Sequence, residues 1–218
     1  VKKERKKREQ MNQQSWQSGL YLVTPNWDDT EKLLAVSEVA LKAGVSLLQY
    51  RHKTASTAFR FEQAQALLKL CRAYRVPLVI NDHIALCREL DADGVHVGGT
   101  DLSVAQARSL LGKDKIIGAS CYGELVLAEK AYAQQASYVA FGGFYPSVVK
   151  QYPVTTPADI LDRAKVVIPL PIVVIGGMTP ELAQPLVNRG VNLVAAISSV
   201  YNSVDPHGAV REFISLFK

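Results

Sequence analysis

Val45-Ser-Leu-Leu-Gln-Tyr-Arg-His-Lys53 is the stretch whose reading decides the fold. It starts as an apolar strand, and period-two alternation sends Gln49, Arg51 and Lys53 to one face and Tyr50 and His52 to the other. Two explanations compete for three polar side chains on a face that ought to be core. Either the chain has already left the strand and these residues are solvated, or several strands end on a common face and share a ligand there. The second explanation needs companions at similar intervals, and the sequence has them. Asn81-Asp82 ends VPLVIN, Asp101 closes HVGGTD, and Lys150 follows YVAFGGFYPSVV. Strand ends of a closed parallel barrel open onto one face, so residues about 30 positions apart converge on one ligand.

Outward from this stretch, short apolar runs alternate with longer amphipathic ones. The expected strands are Gly19–Thr24, Val45–Arg51, Val76–Asn81, Gly94–Gly98, Lys115–Ser120, Tyr138–Gly142, Pro171–Gly177 and Asn192–Ser198. Helices are expected at Asp29–Ala43, Thr57–Tyr74, Ile84–Glu89, Ser103–Leu111, Glu124–Gln135, Pro157–Val166, Pro180–Arg189 and Pro206–Phe217. Asp101 or Ser103 reads as a start signal for the fourth helix, and Thr179-Pro180 for the seventh. Eight strand–helix pairs with crossovers of one hand close into an α/β single-domain (β/α)8 TIM barrel. An open doubly wound sheet would want a GxGxxG turn after its first strand. Thr24-Pro25-Asn26 stands there instead.

Composition agrees with one enzyme-sized domain: 218 residues, 48% hydrophobic. No apolar run is long enough to span a bilayer and no signal peptide is evident, so a cytoplasmic protein is expected. Cys71, Cys87 and Cys121 are few and widely spaced, which speaks against a disulfide framework or a zinc site. Of the net charge of +5, four units lie in VKKERKKREQ, with six basic and two acidic side chains. The body is therefore near neutral, and neither nucleic acid nor membrane is expected as a partner. Residues 1–18 read as a basic disordered tail, or the first ten as residues upstream of a true start at Met11, and 19–218 as the catalytic barrel.

Asp82 and Asp101 end neighbouring strands about 5 Å apart, where the two carboxylates would hold one cation between them. Magnesium takes one or two carboxylates and completes its shell with water and substrate phosphates. The plainer alternative is helix capping, since both acids precede helices. At the seventh strand Ile175-Gly-Gly-Met178 leads into a helix, and the eighth ends in Ser198-Ser199. The loops after these strands are the usual phosphate cradle of such barrels. A metal-bound diphosphate on one side and a monophosphate on the other are thus expected.

LLQYRHK, VINDH, DGVHVGGTDL, IIGASC, YVAFGGFYPSVVK, VIGGM and AAISSV resemble, in order and spacing, the motifs of the thiamine-phosphate synthase family, from Gly19 to Phe217. The resemblance implies a magnesium-dependent transferase. It would join hydroxymethylpyrimidine diphosphate to a thiazole phosphate and release diphosphate through a dissociative step. It assigns Asp82 and Asp101 to the metal, and Arg51, Lys53, Asn81 and Lys150 to the diphosphate. Gln49 and Ser120 would contact the pyrimidine; Gly177, Ser198 and Ser199 would hold the thiazole phosphate. The implied partners are these two small molecules, with room for a homo-oligomer.

The chain departs from the family pattern at Gly99, where Gln is usual, and at Val148-Val149, where hydroxyl residues usually precede the lysine and Ser147 alone remains. One lost hydrogen bond to a charged group costs about 1.5 to 3 kcal/mol, so a weaker hold on the diphosphate is expected. His96 reads as structural. Two alternatives stay open. One is a related thiazole tautomerase, which uses a histidine soon after the fifth strand, where this chain has Tyr122. The other is a non-catalytic barrel that binds a phosphometabolite.

Overall fold

Strands buried on both faces need apolar side chains in both directions, and the observed strands have them. In the computed structural model every residue of the first, second and fourth strands is buried. The structure describes residues 15–98, 103–146 and 156–218. The strands are β1 (Gly19–Val23), β2 (Leu47–Tyr50), β3 (Leu78–Asn81), β4 (Gly94–Val97), β5 (Ile116–Tyr122), β6 (Tyr138–Gly142), β7 (Ile172–Ile175) and β8 (Leu193–Ala196). All neighbours are parallel, and β8 pairs back onto β1 with Gly19 opposite Leu193, so the sheet is a closed barrel. The expected TIM barrel is the fold found.

Helices fill each crossover: α1 (Thr30–Ala43), α2 (Thr57–Tyr74), α3 (Ile84–Leu90), α4 (Val104–Leu111), α5 (Leu125–Ala133), α6 (Ile160–Val167) and α7 (Pro180–Val187). After β8 come a short helix, α8 (Ser198–Tyr201), and the closing helix, α9 (Pro206–Ser215). The sequence reading ran the eighth strand through Ser198 and missed α8. Side-chain caps set several starts. Asp29 accepts from Lys32 N (2.9 Å), and Ser103 forms a reciprocal capping box with Gln106.

Two apolar layers result. The larger lies between strands and helices and includes Leu33, Leu67, Ile80, Phe141 and Phe213. The smaller fills the barrel with Trp16, Tyr21, Leu47, Val79, Tyr138, Val173 and Leu193. Trp16 belongs to a single 3-10 turn (Ser15–Gln17), is 5% exposed, and meets the Tyr138 ring edge-on at 5.9 Å. Trp16, within the stretch read as tail, thus takes part in the packing of the barrel interior. Residues 1–14 lie outside the described residues.

Candidate active site

At the C-terminal end of the strands an open cavity encloses about 680 Å³, counting its mouth. Its walls differ. Gln49, Arg51, Lys53, Asn81, Asp82 and His96, from β2 to β4, form a polar arc. Ala140, Val173, Ile175, Ala195 and Ile197, from β6 to β8, form an apolar one.

Alternation along β2 works as read. Gln49, Arg51 and Lys53 line the cavity, while Tyr50 and His52 point outward, where the Tyr50 hydroxyl donates to Gln63 Oε1 of α2 (3.0 Å). The strand ends at Tyr50, but the next residues do not dissolve into solvent: Arg51 is only 6% exposed. The loop after β1 holds them. Thr24 Oγ1 accepts from Arg51 N (2.8 Å) and donates to Arg51 O (3.1 Å), and Asn26 Oδ1 accepts from Lys53 N (3.1 Å) and Arg51 Nη1 (3.4 Å). On the outer side His52 Nδ1 accepts from Ala55 N (3.2 Å), which leaves Nε2–H to donate to Asp28 Oδ1 (3.1 Å). Sequence reasoning gave Thr24 and Asn26 no role beyond the absence of a glycine turn, although a Thr-Pro-Asn segment after the first strand is a usable signal.

Asp82 follows β3 in the left-handed region at φ 62°, a conformation that short polar side chains adopt more readily than most. Its carboxylate accepts from Asn81 Nδ2 (2.5 Å) and lies 3.8 Å from Lys53 Nζ, while its N–H donates to His96 O (2.9 Å). Capping is not its task. The N-cap of α3 is His83, and no side chain caps that end. The next helix, α4, is capped by Ser103. Asp101 itself lies outside the described residues, as do Gly99, Ser147, Val148, Val149 and Lys150. Among the described residues no group of three or more His, Cys, Asp or Glu side chains comes together. The Asp82 carboxylate is the kind of hard oxygen ligand that magnesium takes together with water and phosphate, and the Lys53 ammonium beside it would face the anion rather than the metal.

Ser120 lines the cavity near the end of β5, where the register shifts between Ser120 and Tyr122 and Tyr122 takes φ 50°. The preceding histidine is not merely core. His96 Nε2 lies 2.8 Å from Ser120 Oγ and Nδ1 lies 2.8 Å from Tyr138 Oη, with the imidazole stacked on the phenol. Beside them Cys121 is buried, and burial pushes its thiol up to about 12, so it is an inert packing residue.

Gly177, Ser198 and Ser199 follow the apolar arc. Gly177 has φ +61°, and a Cβ there would sit 2.3 Å from Pro146 O, so the β7 loop needs glycine for close approach to the β6 loop as well as for any anion. Ser198 and Ser199 open α8, and Ser199 Oγ is buried without a hydrogen-bond partner among the described residues. An unpartnered buried hydroxyl is costly unless something completes it.

A closed parallel barrel with basic, acidic and hydroxyl groups at its C-terminal mouth belongs to the class of barrels that handle phosphorylated small molecules. Comparison with known proteins narrows this. The family model described as thiamine monophosphate synthase matches residues 20–200, and the chain belongs to that family. A thiamine-phosphate synthase of Janthinobacterium sp. (strain Marseille) is 62% identical over 199 residues, spanning 91% of this chain and 96% of the relative. One from Nitrosomonas eutropha is 45% identical over 200 residues, spanning 92% and 94%. Among solved structures, thiamine phosphate pyrophosphorylase from Pyrococcus furiosus superposes with a TM-score of 0.81 at 28% identity, covering 92% of this chain and 95% of that one. No helix among the described residues is long and apolar enough to cross a membrane.

Proposed function

We propose that the protein joins 4-amino-5-hydroxymethyl-2-methylpyrimidine diphosphate to a thiazole phosphate, giving thiamine phosphate and diphosphate, with magnesium as cofactor. The observation that carries this reading, beside the family, is the convergence of Arg51, Lys53, Asn81 and Asp82 on one wall of the cavity that also holds Gln49 and Ser120. The C–O bond to diphosphate breaks first, the electron pair leaving with the oxygen. The thiazole nitrogen then donates its lone pair to the pyrimidine-methyl cation, forming the C–N bond. No enzyme nucleophile is required.

Arg51 presents a planar fork and Lys53 a point charge to the phosphoryl oxygens, and Lys150 is proposed to add a second ammonium. Ser147 would supply the one hydroxyl left in the loop after β6. Asp82 and Asp101 would hold the magnesium, whose chemistry is to neutralise charge developing on the leaving group. Gln49 and Ser120 would orient the pyrimidine. The apolar arc suits an uncharged ring, with Gly177, Ser198 and Ser199 at the end where its phosphate would sit. Tyr122 lies where a tautomerase would want imidazole, which favours the synthase reading.

Incubating the protein with both substrates and magnesium should yield thiamine phosphate and diphosphate in equal amounts. Binding of the thiazole phosphate with no diphosphate released would leave the non-catalytic barrel standing; isomerised thiazole alone would favour the tautomerase.

A further inference from the structure

A file of five polar side chains crosses the barrel interior. Gln49 Nε2 donates to Tyr21 Oη (2.5 Å), Tyr21 Oη meets Tyr138 Oη (2.6 Å), Tyr138 Oη meets His96 Nδ1 (2.8 Å), and His96 Nε2 meets Ser120 Oγ (2.8 Å). Four members, Gln49, Tyr21, His96 and Ser120, line the cavity, and Tyr138 links them from behind; Tyr138 is fully buried and Tyr21 nearly so. Burial raises both phenols far above their ordinary value, so each keeps its one hydrogen at neutral and mildly alkaline pH.

Counting hydrogens ties the direction of every bond in the file to that of the Gln49 amide. Tyr21 accepts from Gln49 and so gives its hydrogen to Tyr138, which gives its own to His96 Nδ1. The neutral imidazole then carries its proton on Nε2 and donates it to Ser120. The Ser120 hydrogen is left for a ligand, and the Gln49 amide oxygen is the matching acceptor. Reversing any single bond leaves two hydrogens or two lone pairs facing each other at a buried contact, at a cost that buried polar groups rarely bear. The file therefore has two consistent senses, and they switch only together.

We propose that Tyr21, Tyr138 and His96 are positioning residues that tie the hydrogen-bonding sense of Gln49 to that of Ser120, so the cavity offers an acceptor on one wall whenever it offers a donor on the other. The ligand edge that fits carries one N–H donor beside one ring-nitrogen acceptor, as a neutral 4-aminopyrimidine does. That ligand rests on the function proposed above; the coupling does not.

The coupling is readable without substrate, from the two imidazole nitrogen resonances of His96 in the full-length [15N]histidine-labelled protein at pH 9. The His96 signal is assigned by its loss in His96→Gln. The proton should sit on Nε2 in the unchanged protein. Gln49→Glu supplies a carboxylate that can only accept, so Tyr21 must turn, the file must reverse, and the proton should move to Nδ1. With Tyr138→Phe, or Tyr21→Phe if that variant does not fold, the file is cut and Gln49→Glu should leave the tautomer as it was. An Nε2 proton in Gln49→Glu with both tyrosines intact, or a shift that survives the cut, overturns the proposal. In turnover, Tyr138→Phe should raise the KM for the pyrimidine diphosphate about tenfold and leave that for the thiazole phosphate alone. Equal changes in both, or a lower Tm with neither changed, reduce these tyrosines to packing and overturn it too. Absence of any synthase turnover would sink the proposed function while leaving the tautomer result to stand by itself.

Discussion

The two arcs of the cavity are built from the same βα unit and do opposite things. From β2 to β4 the last inward positions are Gln49, Arg51, Asn81 and His96; from β6 to β8 they are Ala140, Val173, Ile175 and Ala195. Among the described lining residues charge is confined to the first arc, and the second offers apolar surface for a ring. The division suits the two different ligands of the proposed reaction. An anion needs fixed donors that are already desolvated and aimed, whereas an uncharged ring needs shape and apolar area.

The contrast breaks most completely on the polar arc. Asp82→Asn keeps the left-handed backbone, which asparagine adopts well, and removes only the charge. Turnover should fall about 100-fold or more, with a Tm within a few degrees of the unchanged protein. Normal magnesium dependence in this variant would take Asp82 out of the site. On the apolar arc Ala195→Leu should raise the KM for the thiazole phosphate about tenfold and spare the pyrimidine diphosphate. An effect on both substrates would mean the arcs do not divide the ligands.

Smaller effects sharpen the picture. Val149→Thr adds a hydroxyl at little steric cost, although an unpaired one would carry a desolvation penalty. If the loop after β6 meets the diphosphate, the KM for that substrate should fall about three- to tenfold and the other should not move. Deleting residues 1–10 should change neither Tm nor kinetics, because Trp16, the buried plug of the barrel interior, is retained. A drop of several degrees would show that the basic arm packs on the barrel.

Local readings fared according to how local their physics is. The side chosen for Gln49, Arg51 and Lys53 follows from strand alternation alone, and so was legible. The end of β8 was not, since the four residues of α8 are too few to show helical period. Capping by Ser103 was legible as a residue type, but that Asp82 stands one residue before the N-cap of α3 needed the structure. Tyr21 and Tyr138 fall inside expected strands with nothing in the sequence to join them, and Thr24-Pro25-Asn26 told only against a glycine turn.

By itself the sequence determined the repeat of strand and helix, the barrel it closes into, and the residue types at each strand end, because period-two and helical patterns act over a few residues. Only the tertiary structure decided what those residues touch. Tyr21 and Tyr138 lie 117 positions apart and share a hydrogen bond of 2.6 Å, and Trp16 reaches the same tyrosine from outside the expected domain. Such contacts depend on barrel closure, which brings strands together regardless of their distance along the chain, and no local pattern records them.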